Sequence, residues 1–410
     1  MSNVPPMKMT FRLMRSLRDI PAGVWALGFV SMLMDISSEM IHALLPVYLV
    51  TVLGTSMVTV GFIEGIAEAT ASITKIFSGA LSDWLGKRKM LAVIGYGLAA
   101  FTKPVFPLAP SVSWLVGARF LDRIGKGIRG APRDALVADI APADLRGTSF
   151  GLRQSLDTTG AFLGPLLAIG LMWWTTNDFA AVFWVAVIPA FLALALMIFA
   201  VHEPARPQEL RTVRNPISLS EIKRLGARYW WVVGIATVFT LARFSEAFLI
   251  LRAQSVGVPI MLVPGVFVLM NVVYALAAYP AGVASDRMNR TMLLIIGLTL
   301  LIGADLALAL LPSIAGIALG VVLWGLHMGF TQGLLATLVA DTSPPELRGT
   351  AYGLFNLLGG FATLAASVIA GSLWDAGGAK VAFLTGACFT LIALIGLLTI
   401  RGRIYTKVAT

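Results

Sequence analysis

Residues 120–139, FLDRIGKGIRGAPRDALVAD, carry seven charges in a chain that is 58% hydrophobic and only 13% charged. Three chemistries are open to such a stretch. GKGIRG fits the G-x-G-x-x-G pattern of a dinucleotide-binding turn, which requires a strand before it and a helix after it. A basic run can neutralise nucleic-acid phosphates. Charges held inside an apolar medium can instead bind a proton, an ion or a charged solute.

Other acids and bases accompany this stretch. Asp35, Glu39 and His42 are spaced i, i+4, i+7; Glu64 and Glu68, and likewise Arg153 and Asp157, are spaced i, i+4; Arg243 and Glu246 are three apart. Such spacings place each set on one face of a helix. Burial favours the protonated carboxyl and a neighbouring arginine favours the carboxylate, so a mobile acid–base cluster can take up a proton in one conformation and release it in another. Asp35 and Glu39 are the candidates for proton binding, with Arg119, Asp122 and Arg123 as switching partners. The alternative is a static charge network holding helices together, which suits Arg153 with Asp157 best. His42 with Asp35 and Glu39 has metal-ligand spacing, but no further histidine is near in sequence. Neither a metal nor a cofactor is expected.

The elements that must position these residues follow from composition. A soluble domain carries about 25% charged residues, roughly twice the share found here. Apolar residues fall in runs such as 180–201 and 382–400, long enough to cross a hydrocarbon core of about 30 Å as helices. Twelve spans are expected, near 23–50, 57–82, 90–108, 113–138, 149–174, 179–201, 229–254, 262–284, 291–311, 314–340, 350–373 and 380–400. GKGIRG then lies inside a span, which excludes the dinucleotide turn. The formal charge of +10 gathers in loops on the side of both termini, whereas the opposite loops hold Lys380. That is the positive-inside bias; it argues against nucleic acid and places both termini in the cytoplasm. Residues 1–21 show no cleavable signal peptide. The single Cys388 forms no intramolecular disulfide, and no nucleophile–base constellation suggests an enzyme.

LVADIAPADLRGTSFGL (136–152) recurs as LVADTSPPELRGTAYGL (338–354), and GALSDWLGKRK (79–89) as GVASDRMNR (282–290). This internal duplication predicts two parallel repeats of six spans: a bundle over 1–201, a polar linker over 202–228 with a capping box at Ser218 and Glu221, and a bundle over 229–410. In the duplicate of span four, Arg119, Asp122, Arg123 and Lys126 become Val321, Trp324, Gly325 and Met328. The fold therefore does not demand the charges. At about 100° per residue, Arg119, Arg123, Lys126, Arg129 and Arg133 share a sector of about 120°. This basic stripe is expected to line a cavity, since a charge in the bilayer costs at least about 2.5–3.5 kcal/mol; Arg129 and Arg133 can also snorkel to the surface. In the second half Trp324, His327, Gln332 and Asn356, with Asn271 and Met328, suit an amphipathic organic solute. Ordinary core packing is the alternative for each.

GALSDWLGKRK, with Gly79, Asp83, Gly86, Lys87 and Arg88, is similar to the signature loop of the major facilitator superfamily, and the chain resembles that family over essentially its whole length. The second copy keeps Asp286 and Arg287 but has Asn289 in place of the second glycine. GAFLGP (160–165) resembles the span-five motif of proton-coupled antiporters, and Arg119 matches the arginine of that group's span-four motif. The resemblance implies an all-α integral membrane protein of twelve transmembrane helices, in two six-helix bundles related by a pseudo-twofold axis. It also implies secondary active transport by alternating access. In the signature loop, Asp83 can pair with Arg88 or cap a helix and so latch one state. Proton-coupled export of a small organic solute or drug is the leading expectation, with uptake or exchange of an organic anion as the alternative and a non-transporting receptor behind both. Protons, a small-molecule substrate and the lipid bilayer are the expected partners. A monomer in a bacterial inner (plasma) membrane is the expected form.

Overall fold

A chain surrounded by hydrocarbon must satisfy its backbone hydrogen bonds within each segment. The computed structural model meets that demand with helices alone: no strand occurs among the described residues. These are residues 19–85, 87–142, 145–204, 222, 224–287, 290–331, 338–339, 342–343 and 347–405, with backbone only at 80, 83–84, 146–147, 278–280, 282–287, 290, 348–350 and 400–405. The linker capping box lies outside them.

The first half contains α1 (Ala22–His42) and α2 (Leu45–Thr51), then α3 (Met57–Leu85), α4 (Arg88–Thr102) and α5 (Val105–Leu108). It continues with α6 (Val112–Ile140), α7 (Arg146–Trp174) and α8 (Phe179–Phe199). The second contains α9 (Ala227–Ala242), α10 (Ala247–Ser255), α11 (Gly265–Arg287), α12 (Arg290–Leu310), α13 (Ile314–Thr331) and α14 (Arg348–Tyr405). Nine described segments are long and apolar enough to cross a membrane. One of them, Ala351–Thr399, runs for 49 residues and breaks at Gly378, whose φ of 76° favours a residue without a Cβ; it has the length of two crossings. The 29-residue helices α3 and α6 are as long as the crossing helices but carry more charge, and they are not among those nine.

The lipid-facing exterior carries Phe101, Trp173, Trp174, Phe199 and Leu276, with the two tryptophans at the end of α7, where aromatic side chains anchor a membrane interface. Inside the first half, α1 packs on α7 and α8, and α6 on α3 and α4; inside the second, α13 packs on α11 and α12, and α14 on α9 and α12. Between the halves α3 lies along α14, and α7 meets α11. The α3–α14 seam includes the start of α3, one crossing away from the N-terminus. There Asp375 of α14 accepts hydrogen bonds from the backbone N–H of Met57 (3.0 Å) and Val58 (2.9 Å), capping α3 from the other half of the molecule.

Candidate functional site

The span-five glycines explain how the first acids are placed. A methyl group at Gly164 would stand 2.8 Å from Glu39 Cβ, and one at Gly160 would stand 3.0 Å from Asp35 Cβ. Small residues let α7 lie directly on α1, with Asp35 and Glu39 on the seam. At that seam the carboxyl of Asp35 reaches the carboxyl of Asp157. Arg133 approaches Asp157 to 3.6 Å and donates to Ser31 Oγ at 3.0 Å, while Arg153 stands 3.4 Å from Asp157 and 3.7 Å from Asp134. Arg153 and Asp157 thus pair as their spacing suggests. The carboxyl–carboxyl contact across two helices carried no signal in the spacing of either helix.

Deeper in the bundle, Glu39 and His42 approach to 3.4 Å through Oε2 and Nδ1. His42 Nε2 stands 3.3 Å from Glu64 Oε2, and Arg119 donates to that same oxygen at 2.8 Å. Glu64 is wholly buried and Arg119 nearly so. Arg123 pairs with Glu68 at 3.2 Å. Asp122 does not join the acids of α1: it accepts from Lys103 Nζ at 3.0 Å, and Lys103 also donates to Ser38 Oγ at 3.1 Å. Lys103 is 1% exposed.

The basic stripe is divided rather than continuous along a cavity, which corrects the expectation for α6. Arg123 and Lys126 line the space between the halves. Arg119 turns to Glu64, Arg129 lies 5.0 Å from the centroid of the Tyr96 ring, and Arg133 turns to Ser31 and Asp157. The physical reason is that α6 is wedged between α3 and α4, so a sector of about 120° faces neighbouring helices as well as the cavity.

That cavity has a volume of about 450 Å³. Glu39, His42, Glu68, Arg123 and Lys126 form its wall from the first half; Arg243, Phe244, Glu246, Phe267, Asn271, Trp324 and Met328 form the wall from the second. His327 falls outside the lining: wholly buried, it meets the Gly297 carbonyl oxygen through Nδ1 at 2.8 Å and packs on Phe239. Asn356 is exposed away from the cavity lining, and Gln332 lies outside the described residues. In the signature loop, a Cβ at Gly79 would contact Ala131 at 3.4 Å. Arg88 donates to Asp139 at 2.6 Å and to the Ala135 carbonyl at 2.8 Å. The side chains of Asp83, Asp286 and Arg287, and Gly86, lie outside the described residues. Among the described residues no group of three His, Cys, Asp or Glu side chains could hold a metal ion.

One feature of the second wall escaped the sequence. Span seven is not continuous: α9 ends at Ala242 and α10 starts at Ala247. Nothing in ARFSEAF signals a break, since it holds neither proline nor glycine.

The family model described as Major Facilitator Superfamily matches residues 27–367 and, in an overlapping second match, 260–407. An uncharacterized MFS-type transporter of Methanocaldococcus jannaschii, MJ1317, is 34% identical over 395 residues, covering 93% of this chain and 96% of the relative. Multidrug resistance protein MdtH of Proteus mirabilis is 27% identical over 342 residues, 82% of each chain. Among solved structures, a bacterial homologue of the human lysosomal transporter Spinster, inward-facing and occupied, superposes with a TM-score of 0.76 at 16% identity, covering 93% of this chain and 96% of the other. That last likeness is one of fold.

Proposed function

The chain belongs to the major facilitator superfamily and is a multi-pass membrane transporter, and on that premise we propose that it exports a small organic solute in exchange for protons. The observation that carries this reading is the Asp35–Asp157 contact beside Glu39. Two carboxyls in contact cannot both be charged without a counter-ion or a shared proton. Their helices meet on Gly160 and Gly164, so a small movement of α7 against α1 changes the separation of the acids and their hold on a proton. Glu39 carries the effect to the cavity. Two of its relatives are multidrug resistance proteins MdtH, which supports export.

In this reading the bundles 1–201 and 229–410 rock about the linker 202–228 and expose the cavity to alternate sides. The basic loops and both termini face the cytoplasm. Arg119–Glu64 and Asp122–Lys103 hold the first bundle together while Glu39, His42 and Arg123 face the solute. Uptake or exchange of an organic anion is the second reading. It is favoured by Lys126 and Arg243, which line the cavity and have no carboxylate partner in an ion pair among the described residues.

The test is substrate-dependent proton flux in proteoliposomes holding a pH-sensitive dye, with a panel of neutral, cationic and anionic solutes. Export coupled to protons predicts dye responses with neutral or cationic solutes that Asp35→Asn abolishes. Responses to anions alone, unchanged in Asp35→Asn, would reject it in favour of the anion reading.

A further inference from the structure

The break in span seven gives the solute a chemical class. In hydrocarbon an interrupted helix is tolerated only where its freed backbone groups are satisfied by protein or line a cavity. Two of the N–H groups here are satisfied by hydroxyls: Ser245 N–H donates to Ser367 Oγ at 3.1 Å, and Ala247 N–H to Ser245 Oγ at 3.2 Å. The four residues between α9 and α10, Arg243 to Glu246, are all cavity-lining.

Two of those four are oppositely charged. Arg243 and Glu246 lie within range of each other's charge, yet neither has an ion-pair partner among the described residues. Arg243 instead stands 5.9 Å from the centroid of the Phe239 ring, and its Nε has no hydrogen-bond partner. On the first wall the lining acids do have partners, Glu39 in His42 and Glu68 in Arg123, while Lys126 has no ion-pair partner among the described residues. Leaving a cation and an anion apart in a low-dielectric site is costly unless something bridges them. Beside them Phe244, Phe267, Trp324 and Met328 supply an apolar surface, and a cavity of about 450 Å³ accepts a small solute.

We propose that this wall binds an amphipathic zwitterion, with its acidic group on Arg243, its amine on Glu246 and an apolar or aromatic body on Phe244, Trp324 and Met328. The proposal rests on the reading of this cavity as the transport site and adds the class of solute that site takes. A molecule bearing both charges satisfies both side chains; one bearing a single charge leaves the other buried beside it.

The experiment is equilibrium binding by calorimetry to the full-length protein purified in detergent at neutral pH, using three probes. L-phenylalanine carries both charges, N-acetyl-L-phenylalanine only the acid, and L-phenylalaninamide only the amine. Each analogue is expected to bind roughly tenfold or more weakly than the zwitterion, as for loss of one partner in a desolvated charge pair. Glu246→Gln is expected to erase the preference over the N-acetyl form alone, and Arg243→Gln the preference over the amide alone. An analogue matching the zwitterion, no binding of any probe, or a preference that survives these substitutions would overturn the proposal. The wild-type comparison stands even if a variant fails to fold. Because no gradient is present, the preference can hold where proton-coupled export fails; equally, a solute-driven proton flux can persist where the preference is absent.

Discussion

Asp35 and Asp157 meet carboxyl to carboxyl across the seam of α1 and α7, and that seam is narrow because Gly160 and Gly164 stand opposite Asp35 and Glu39. The glycines set the separation of the helices that carry the acids, and on the proposed proton coupling they set the distance at which the acids compete for a proton. Replacing Asp35 or Asp157 by Asn removes the competition and leaves a neutral hydrogen-bonding group. Gradient-driven transport in proteoliposomes is expected to fall at least about tenfold, the scale of losing one essential proton carrier, while solute exchange without a gradient persists. Retention of gradient-driven accumulation in Asp35→Asn would remove the pair from the coupling mechanism.

The glycines can be tested separately. A methyl group at Gly164 would meet the Glu39 Cβ at 2.8 Å and the Ile36 carbonyl oxygen at 2.8 Å, neither of which is the free end of a flexible side chain. Gly164→Ala must therefore push α7 from α1. Overpacking of this kind costs about 1–3 kcal/mol. The melting temperature in detergent should fall, and transport should fall with it. Gly151, with open space at its Cβ position, is the control: Gly151→Ala should leave the melting temperature nearly unchanged. Equal effects at the two positions would mean that close approach at Gly164 is not what matters.

Lys103 and Asp122 are both buried and mutually paired, so each depends on the other for compensation. Lys103→Met leaves a buried carboxylate with its main partner gone, a loss of about 3–5 kcal/mol. Lys103→Met combined with Asp122→Leu removes both charges and should recover much of that loss. A double-mutant cycle on thermal or denaturant unfolding reads the coupling directly. If the double variant is stable and transports, the pair is a fastener of α4 to α6; if it is stable but inactive, Asp122 takes part in the transport cycle after all.

How far the sequence reached is seen in these same residues. The helical class, the two-fold repetition and the charges of α1, α3 and α6 were legible because each rests on local composition or spacing: an apolar run of about 20 residues specifies a span, and an i, i+4 pair specifies a face. The partners were less so. Asp122 is 19 positions from Lys103 and Arg119 is 55 from Glu64, and helical periodicity says nothing about which neighbouring face a side chain meets. His327 read as a polar lining residue because an isolated histidine in an apolar span has no local partner; its acceptor, the Gly297 carbonyl, is 30 residues away on α12. The break at 243–246 was hidden for a related reason. One of its backbone N–H groups, that of Ser245, is satisfied by Ser367 of α14, a tertiary hydrogen bond rather than a proline or glycine signal.

The last relationship with a measurable consequence is the cap that one half places on the other. Asp375 of α14 accepts from the backbone N–H groups of Met57 and Val58 at 3.0 and 2.9 Å. A carboxylate at a helix N-terminus satisfies donors that have no intrahelical partner and interacts favourably with the helix dipole. Because it acts across the two halves, this bond exists only while they are closed at that end, and the proposed alternating access would break it. Asp375→Ala removes a cap worth about 1 kcal/mol, equivalent to roughly a fivefold change in the ratio of closed to open states. Spin labels introduced on α3 and α14 near this seam, with Cys388 replaced by serine, would read the distance distribution by pulsed electron resonance. A larger population of long distances in Asp375→Ala is the expected result. An unchanged distribution would mean that the close packing of α3 on α14, where Gly371 sits against the Met57 carbonyl, holds this end shut without the carboxylate.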